Sequence, residues 1–252
     1  MIKKALTKIV NSFGYDIVKH GKKLKPNFDE YKEFIELFEF CQEYTMTSVE
    51  RMFALYKSVE YIIKNDIKGD FVECGVWRGG SSMMIAKTLQ KFNVTDRKIY
   101  LYDTFEGMSE PTEKDVTFKG YTADSMLKKA EKEESTSVWC YADLDDVQNN
   151  MNKTGYPAAN ISFIKGKVED TIPQNMPQGD ISLLRLDTDW YESTKHEMVN
   201  LYPHLVKNGV LIIDDYGHWQ GARQAIDEYF EENKPSPLLN RIDYTGKIAV
   251  KI

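Results

Sequence analysis

Two apolar runs that end in acidic residues constrain the fold of this chain more than any other feature. Residues 183–186 run into Asp187, and residues 210–213 run into Asp214 and Asp215. Such runs are typical of buried strands, and the carboxyl ends of neighbouring parallel strands meet at one edge of a sheet. Carboxylates gathered there repel one another unless a cation compensates them, and oxygen ligands suit Mg²⁺. The pattern therefore predicts a parallel sheet with a divalent-metal site at its edge.

Strand-like and helix-like segments alternate from residue 70 to the C-terminus. Alternation of this kind predicts an α/β fold in which helices cover both faces of a mostly parallel sheet. Two further helices precede the sheet, and Thr47 with Glu50 forms a capping-box pattern for the second of them. The predicted strands are 70–74, 98–103, 161–165, 180–187, 209–214 and 247–252, and the predicted helices are 28–41, 48–63, 81–92, 143–153, 191–206 and 221–233.

Residues 1–27 are predicted to form a basic N-terminal arm, separate from a domain that spans residues 28–252. Residues 1–25 hold seven lysines against a single aspartate, and their apolar residues recur at helical spacing. This pattern favours an amphipathic helix that packs on its own domain or on a second subunit of a homo-oligomer. The alternative is peripheral contact with an anionic membrane surface.

The overall charge and the cysteines narrow the functional class. A formal net charge of −6 argues against a general nucleic-acid binder. The three cysteines are odd in number and form no CxxC pair, which favours a reducing cytoplasm. No apolar stretch is long enough for a signal peptide or a membrane span.

The segment 104–160 is too long for a simple connection between a strand and its neighbour. It is rich in charged residues but also contains the aromatic side chains of Phe105, Phe118, Tyr121, Trp139 and Tyr141, so we expect a lid over the ligand edge of the sheet. The alternative is a flexible surface excursion.

A glycine-rich turn follows the first predicted strand and opens a helix. Glu73 ends the strand, Gly75 begins the turn, and Trp77 and Ser81 follow. Glycine allows a ligand to approach the backbone, and the helix N-terminus offers free N–H groups. The spacing is not the GxGxxG of dinucleotide-binding proteins. The turn therefore suits a ligand that carries an amine and a sugar rather than a pyrophosphate.

Two later strand ends complete the predicted cofactor site. Asp103 lies where a ribose needs a carboxylate acceptor, with Phe105 just after it; the alternative for Asp103 is a turn cap. After the next strand, Val168 and Glu169 can hold a purine by packing and by accepting a hydrogen bond. The alternative there is a helix cap formed by the residues that follow, Asp170 or Thr171.

Together these motifs resemble the macrocin O-methyltransferases, a family of metal-dependent sugar methyltransferases. The resemblance runs from about residue 40 to the C-terminus. It implies a Rossmann-like class I methyltransferase fold with seven strands, the last antiparallel, that uses S-adenosylmethionine. The matching motifs are residues 45–47, 69–80, 103–107, 139–140, 168–171, 183–187, 191–194 and 213–216.

The same resemblance implies roles for individual residues. Thr45 and Met46 join the cofactor site, and Asp187, Asp214 and Asp215 hold Mg²⁺ against a sugar acceptor. Asp187 also takes the proton of the hydroxyl that is methylated. A competing base is His218, whose alternative role is contact with the acceptor.

Two other functions stay open from the sequence. A catechol or other phenol could chelate the same metal through adjacent hydroxyls. A non-catalytic module that binds S-adenosylmethionine or carbohydrate is the alternative from a different class. The three aspartates argue against such a module, because binding alone does not require an activated hydroxyl.

Overall fold

The computed structural model describes residues 31–132 and 137–252, so the predicted basic arm lies outside the described residues. The described helices are α1 (Lys32–Cys41), α2 (Val49–Lys64), α3 (Gly80–Lys91), α4 (Ala123–Leu127), α5 (Leu144–Lys153), α6 (Val168–Thr171), α7 (Tyr191–Asn200) and α8 (Gln220–Glu232). The strands are β1 (Asp70–Cys74), β2 (Ile99–Asp103), β3 (Ile161–Lys165), β4 (Ile181–Leu186), β5 (Leu205–Ile213), β6 (Asn240–Arg241) and β7 (Lys247–Val250).

The strands form one seven-stranded sheet in the order β3-β2-β1-β4-β5-β7-β6. Strands β1 to β5 pair in parallel, and β7 runs antiparallel to both β5 and β6. In the register of β4 and β5, Leu186 lies opposite Ile213. The next residue of each strand is an aspartate, so Asp187 and Asp214 leave the sheet side by side. This confirms the predicted class of fold, with its antiparallel last strand.

Both faces of the sheet are covered, which explains why its central strands are apolar without alternation. On one face, Phe71 and Leu183 pack with residues of α1, α2, α3 and α5. On the other face, Val72 and Leu184 pack with residues of α6, α7 and α8. Among the described residues, no helix has the length and apolar character needed to cross a lipid bilayer.

Helix α2 begins one residue later than the capping-box pattern indicates. Ser48 is its N-cap, and the Ser48 hydroxyl accepts a hydrogen bond from the Arg51 amide at 3.2 Å. Thr47 instead accepts a hydrogen bond from Arg185 at 3.0 Å. The capping-box prediction was therefore wrong, because a buried arginine from a distant strand binds the Thr47 hydroxyl.

The segment 104–160 divides into two parts. Residues 104–142 leave the sheet edge and contain the short helix α4. Helix α5 follows, capped by Asp143, and buries Val147 and Met151 in the core that contains α3. It is the crossover between β2 and β3, so only the first part can act as a lid.

Candidate active site

A cavity of about 350 Å³ opens at the carboxyl ends of the central strands. Glycine and acidic residues that follow β1, β2, β4 and β5 form its floor, as expected for an open α/β sheet. Two residues of the predicted site, Glu73 and Phe105, do not line it. The predicted residues that do are Thr45, Met46, Gly75, Trp77, Ser81, Asp103, Val168, Glu169, Asp187, Asp214, Asp215 and His218.

The glycine-rich turn is held in place by Asp103. One oxygen of the Asp103 carboxylate accepts hydrogen bonds from the Val76 amide at 2.7 Å and the Trp77 amide at 3.2 Å. Gly75 and Trp77 both have positive φ, +80° and +47°, so the turn is wound tightly. Asp103 therefore fixes the backbone that a ligand approaches.

The second oxygen of Asp103 caps the turn after its own strand. It accepts a hydrogen bond from the Phe105 amide at 2.6 Å. The Phe105 ring points into the core and contacts Phe163, with ring centroids 6.4 Å apart. The prediction that Asp103 caps a turn is thus correct. The same residue also lines the cavity. The Phe105 side chain lies behind the cavity wall.

Glu73 lies beneath the glycine turn and is only 1% exposed. Its carboxylate accepts hydrogen bonds from Arg185 at 2.6 Å and from the Ser82 hydroxyl. Burial raises the pKa of Glu73, and the charge of Arg185 opposes that rise. The geometry makes Glu73 a support of the turn rather than a part of the cavity surface.

Three carboxylates meet on the cavity floor. Asp187, Asp214 and Asp215 each offer an oxygen atom, and these atoms lie within 4.8 Å of one another. One oxygen of Asp215, Oδ2, is buried and has no hydrogen-bond partner. Burial raises the pKa of Asp187 to about 8, with Arg185 opposing the rise and Asp215 adding to it. This all-oxygen donor set, with one orphaned oxygen, fits a hard divalent cation.

Two arginines hold these acids from below. Arg185 is 1% exposed and donates to Asp187 at 2.7 Å and to Asp214 at 2.5 Å. Arg51, from α2, donates to the other oxygen of Asp214 and to Asp243 at 3.0 Å. In the sequence, Arg185 and Asp189 flank Asp187, and this arrangement predicts that the two pair with each other or with helix ends. The register of β1 and β4 instead places Glu73 opposite Arg185.

Sequence reasoning gave Asp189 only a structural role, but the structure places it in the cavity wall. Its φ is +67°, so the backbone turns sharply there. Burial raises the pKa of Asp189 well above its usual value, and Asp215 adds to the rise. The sequence signal for its place in the cavity wall was that a second acid follows two residues after Asp187.

At the mouth of the cavity, His218 lies among aromatic rings. Its ring centroid is 5.9 Å from that of Phe118, 5.1 Å from Trp219 and 6.2 Å from Tyr244. Burial lowers the pKa of His218, so the imidazole is largely neutral at pH 7. This setting resembles a contact surface more than a buried proton relay.

Val168 and Glu169 begin α6, and both line the cavity. The N-cap of this helix is Lys167, which makes no side-chain capping bond. Neither Asp170 nor Thr171 caps the N-terminus. The helix-cap alternative for this motif is therefore wrong.

The segment 104–142 closes one side of the cavity. The Asp115 carboxylate accepts a hydrogen bond from the Tyr191 amide at 2.8 Å, at the start of α7. The Phe118 amide donates to the His218 carbonyl at 2.9 Å. Several of its residues line the cavity, namely Thr104, Gly107, Met108, Ser109, Met126, Val138 and Cys140.

Comparison with known families identifies the family of the chain. The model of the macrocin O-methyltransferase (TylF) family matches residues 21–250. The chain belongs to this family.

Two relatives of this macrocin O-methyltransferase family member are O-methyltransferases by name, and the name of the first describes an acceptor with a rhamnosyl group. The 8-demethyl-8-(2,3-dimethoxy-alpha-L-rhamnosyl)-tetracenomycin-C 4'-O-methyltransferase of Streptomyces olivaceus is 34% identical over 203 residues, which are 81% of this chain and 74% of the relative. The demethyldecarbamoylnovobiocin O-methyltransferase of Streptomyces niveus is 33% identical with the same coverage.

A solved structure agrees with this assignment. The O-methyltransferase NovP matches with a TM-score of 0.69 and 31% identity over 82% of each chain. Calicheamicin methyltransferase CalS11 matches with a TM-score of 0.62 over 93% of this chain and 99% of that chain, but at 15% identity it supports the fold alone. This member of the macrocin O-methyltransferase family is therefore an O-methyltransferase with the S-adenosylmethionine-dependent methyltransferase fold.

Proposed function

We propose that the protein transfers the methyl group of S-adenosylmethionine to a sugar hydroxyl in a reaction that requires Mg²⁺. The observation that carries the proposal is the meeting of Asp187, Asp214 and Asp215 within 4.8 Å on the floor of the cavity. The glycine turn at Gly75 opens into the same cavity. A cofactor and an activated hydroxyl can therefore occupy adjoining parts of one site.

The cofactor part of the site is formed by β1, β2 and the start of α6. The turn at Gly75 presents bare backbone, and Asp103 fixes that turn while remaining at the cavity surface. Val168 offers an apolar wall and Glu169 a carboxylate acceptor beside it. These are the groups that an amino acid chain, a ribose and a purine require.

The acceptor part of the site is formed by the carboxylates on the cavity floor and by the side chains at the cavity mouth. Asp187, Asp214 and Asp215 would hold the cation, which lowers the pKa of a bound hydroxyl as it does that of bound water. Asp187 and Asp189 are the candidate bases that receive the hydroxyl proton on a carboxylate oxygen. Asp189 is proposed for this role because it lines the cavity and does not belong to the three-carboxylate set.

The sugar acceptor is supported by the relatives and by the mouth of the cavity. The name of the Streptomyces olivaceus relative describes an acceptor that carries a rhamnosyl group. Tyr244 and Met46 line the cavity yet are 58% and 47% exposed. Exposed aromatic and thioether side chains at a cavity mouth suit the apolar face of a sugar or of the group attached to it.

The test is to incubate the protein with S-adenosylmethionine and Mg²⁺ over a panel of acceptors. The panel contains glycosylated small molecules, nucleotide sugars, glycans and a simple catechol, and S-adenosylhomocysteine is measured. Product formed with a glycosylated acceptor and absent with its deoxy analogue supports the proposal. Turnover of the catechol alone would assign the protein to phenol methylation instead.

A further inference from the structure

The buried carboxyl group of Glu197, on α7, does not line the cavity. Glu197 is 0% exposed, and within the described part of the chain it forms no ion pair. One oxygen, Oε1, accepts a hydrogen bond from the Thr188 hydroxyl at 3.0 Å, and the carboxyl also interacts with the buried Cys74 thiol beside it. A buried carboxyl without a compensating cation costs several kcal/mol when ionised, and burial raises the pKa of Glu197 well above its usual value.

The partner of Glu197 stands between two acids of the cavity. Thr188 follows Asp187 and precedes Asp189, and all three line the cavity. The Trp190 amide donates to the Thr188 carbonyl at 2.7 Å, so the chain folds back on itself there. The position of Thr188 therefore determines where both carboxylates point.

The opposite side of this loop rests on the cofactor turn. A β-carbon added to Gly75 would lie 2.0 Å from the carbonyl oxygen of Asp187. The Asp187 amide also donates to the Cys74 carbonyl at 2.8 Å. Backbone contacts thus fix the loop on the side of β1, Arg185 holds the Asp187 carboxylate, and the Thr188–Glu197 hydrogen bond ties the centre of the loop to α7.

We propose that Glu197 is a positioning residue that sets the Asp187–Asp189 loop through its hydrogen bond with Thr188. This inference rests on the proposed function, since the loop carries one proposed metal ligand and one candidate base. Glu197 itself touches neither. Removal of the hydrogen bond frees the centre of the loop on the side of α7. The backbone of Asp187 and the Asp189 carboxylate then shift more readily relative to Asp214 and Asp215, although Arg185 still pairs with Asp187.

The experiment compares Thr188→Val, Glu197→Leu, Glu197→Gln and the double variant Thr188→Val/Glu197→Leu. Glutamine keeps a carbonyl oxygen for the Thr188 hydroxyl, whereas leucine and valine remove one side of the bond. Thr88→Val is the control, because it also removes a threonine hydroxyl that donates a hydrogen bond, but one that is buried on α3 and bonded to the Met84 carbonyl. Thermal unfolding of every variant shows which of them fold.

Three measurements report on the position and the stability of the Asp187–Asp189 loop. We expect the affinity for Mn²⁺, a paramagnetic substitute for Mg²⁺, to fall roughly tenfold in Thr188→Val and Glu197→Leu, the usual cost of losing a group that orients a metal ligand. We expect kcat to fall in both, with the Kd for S-adenosylmethionine unchanged. Amide hydrogen exchange of residues 187–190 should become faster in both, while Glu197→Gln and Thr88→Val stay close to the parent protein.

The double variant decides whether the two side chains act as one unit. If they do, Thr188→Val/Glu197→Leu is no worse than the more damaged single variant. The inference is overturned if the losses of Mn²⁺ affinity in the two single variants multiply in the double variant. It is also overturned if Thr188→Val keeps the amide exchange and the Mn²⁺ affinity of the parent protein. If Glu197→Leu does not fold, Thr188→Val and Glu197→Gln still decide it.

The hydrogen-exchange measurement separates this inference from the proposed function. Faster exchange of the loop with no methylation of any acceptor supports the positioning role and rejects the sugar methylation. Methylation with unchanged exchange in Thr188→Val does the reverse. If the parent protein binds no Mn²⁺, the exchange data alone judge the role of Glu197.

Discussion

The Cα of Gly75 lies so close to Asp187 that a β-carbon on it would stand 2.0 Å from the Asp187 carbonyl oxygen. The cofactor turn and the acidic loop are therefore packed backbone to backbone. A side chain at position 75 must push the two apart, whatever its chemistry.

Gly75→Ala should accordingly abolish the binding of S-adenosylmethionine, as measured by calorimetry. Gly120→Ala is the matched control, because Gly120 has a similar φ of +87° but no atom within 4 Å of its missing β-carbon. The control should lose only the backbone strain of alanine at positive φ, about 1–2 kcal/mol of unfolding free energy. Equal cofactor affinity in both variants would contradict the close-packing argument.

Asp103→Ala should weaken cofactor binding and loosen the turn. The Asp103 carboxylate accepts hydrogen bonds from the Val76, Trp77 and Phe105 amides, and each bond to a charged group contributes about 1.5–3 kcal/mol. Asp70→Ala is a fair control, because Asp70 also accepts from a backbone amide, that of Lys98, but at the other end of β1. Only the Asp103 variant should change the calorimetric Kd for S-adenosylmethionine.

Removal of the metal should stop turnover without removing the cofactor. We expect EDTA to eliminate the formation of S-adenosylhomocysteine while calorimetry still detects S-adenosylmethionine binding. Asp215→Asn should weaken Mn²⁺ binding by roughly tenfold or more, since a neutral amide is a poorer ligand for a hard cation. Asp124→Asn, at an exposed site on α4, should leave the affinity unchanged. Full activity in the chelator would reject the metal requirement.

Arg185→Met should be strongly destabilising in denaturant unfolding. It leaves Glu73 buried without a cation, and breaking a buried ion pair on one side costs about 3–5 kcal/mol. The double variant Arg185→Met/Glu73→Gln should recover part of that loss, because the buried charge is then removed. Lys68→Met, which breaks an exposed ion pair with Asp66, should change nothing measurable. No recovery in the double variant would show that Glu73 is not the group left uncompensated.

Deletion of residues 1–25 tests the basic arm. If the arm packs on protein, as we expect, the deletion changes the oligomeric mass or the melting temperature, and the full chain does not sediment with anionic liposomes. Binding to liposomes that is lost on deletion, at unchanged mass, would establish membrane contact instead. Such binding should weaken with salt.

The sequence predicted β1, β2, β4 and β5 because their apolar runs are buried and end in or beside acids. It did not predict β6, whose two residues are both exposed. The juxtaposition of Asp187 with Asp214 followed directly from the parallel arrangement of their strands. The partners of Arg185 were not predictable, because they depend on the register of β1 against β4 and on the loop that carries Thr47. For the same reason, Glu73 was assigned to the ligand surface when it is covered by that arginine.

Asp189 and Glu197 illustrate a second limit. Their roles depend on a left-handed turn and on the packing of α7 beneath it, and neither leaves a periodic pattern in the sequence. The end of α7 was misplaced by several residues, since Pro203 and a short 3₁₀ turn follow it before β5 begins. Tertiary contacts rather than local preference set these features.

Residues 104–132 and 137–142 are attached to the rest of the domain partly through their main chain. The Ser109 carbonyl accepts from the Trp190 indole, the Thr117 carbonyl accepts from the Gln220 side chain, and the Phe118 amide donates to the His218 carbonyl. Bonds of this kind survive when the side chains of the segment are exchanged. The side chains of this cavity wall can thus change between paralogues while the carboxylates opposite them stay in place. In this way one methylation chemistry can be adapted to new acceptors.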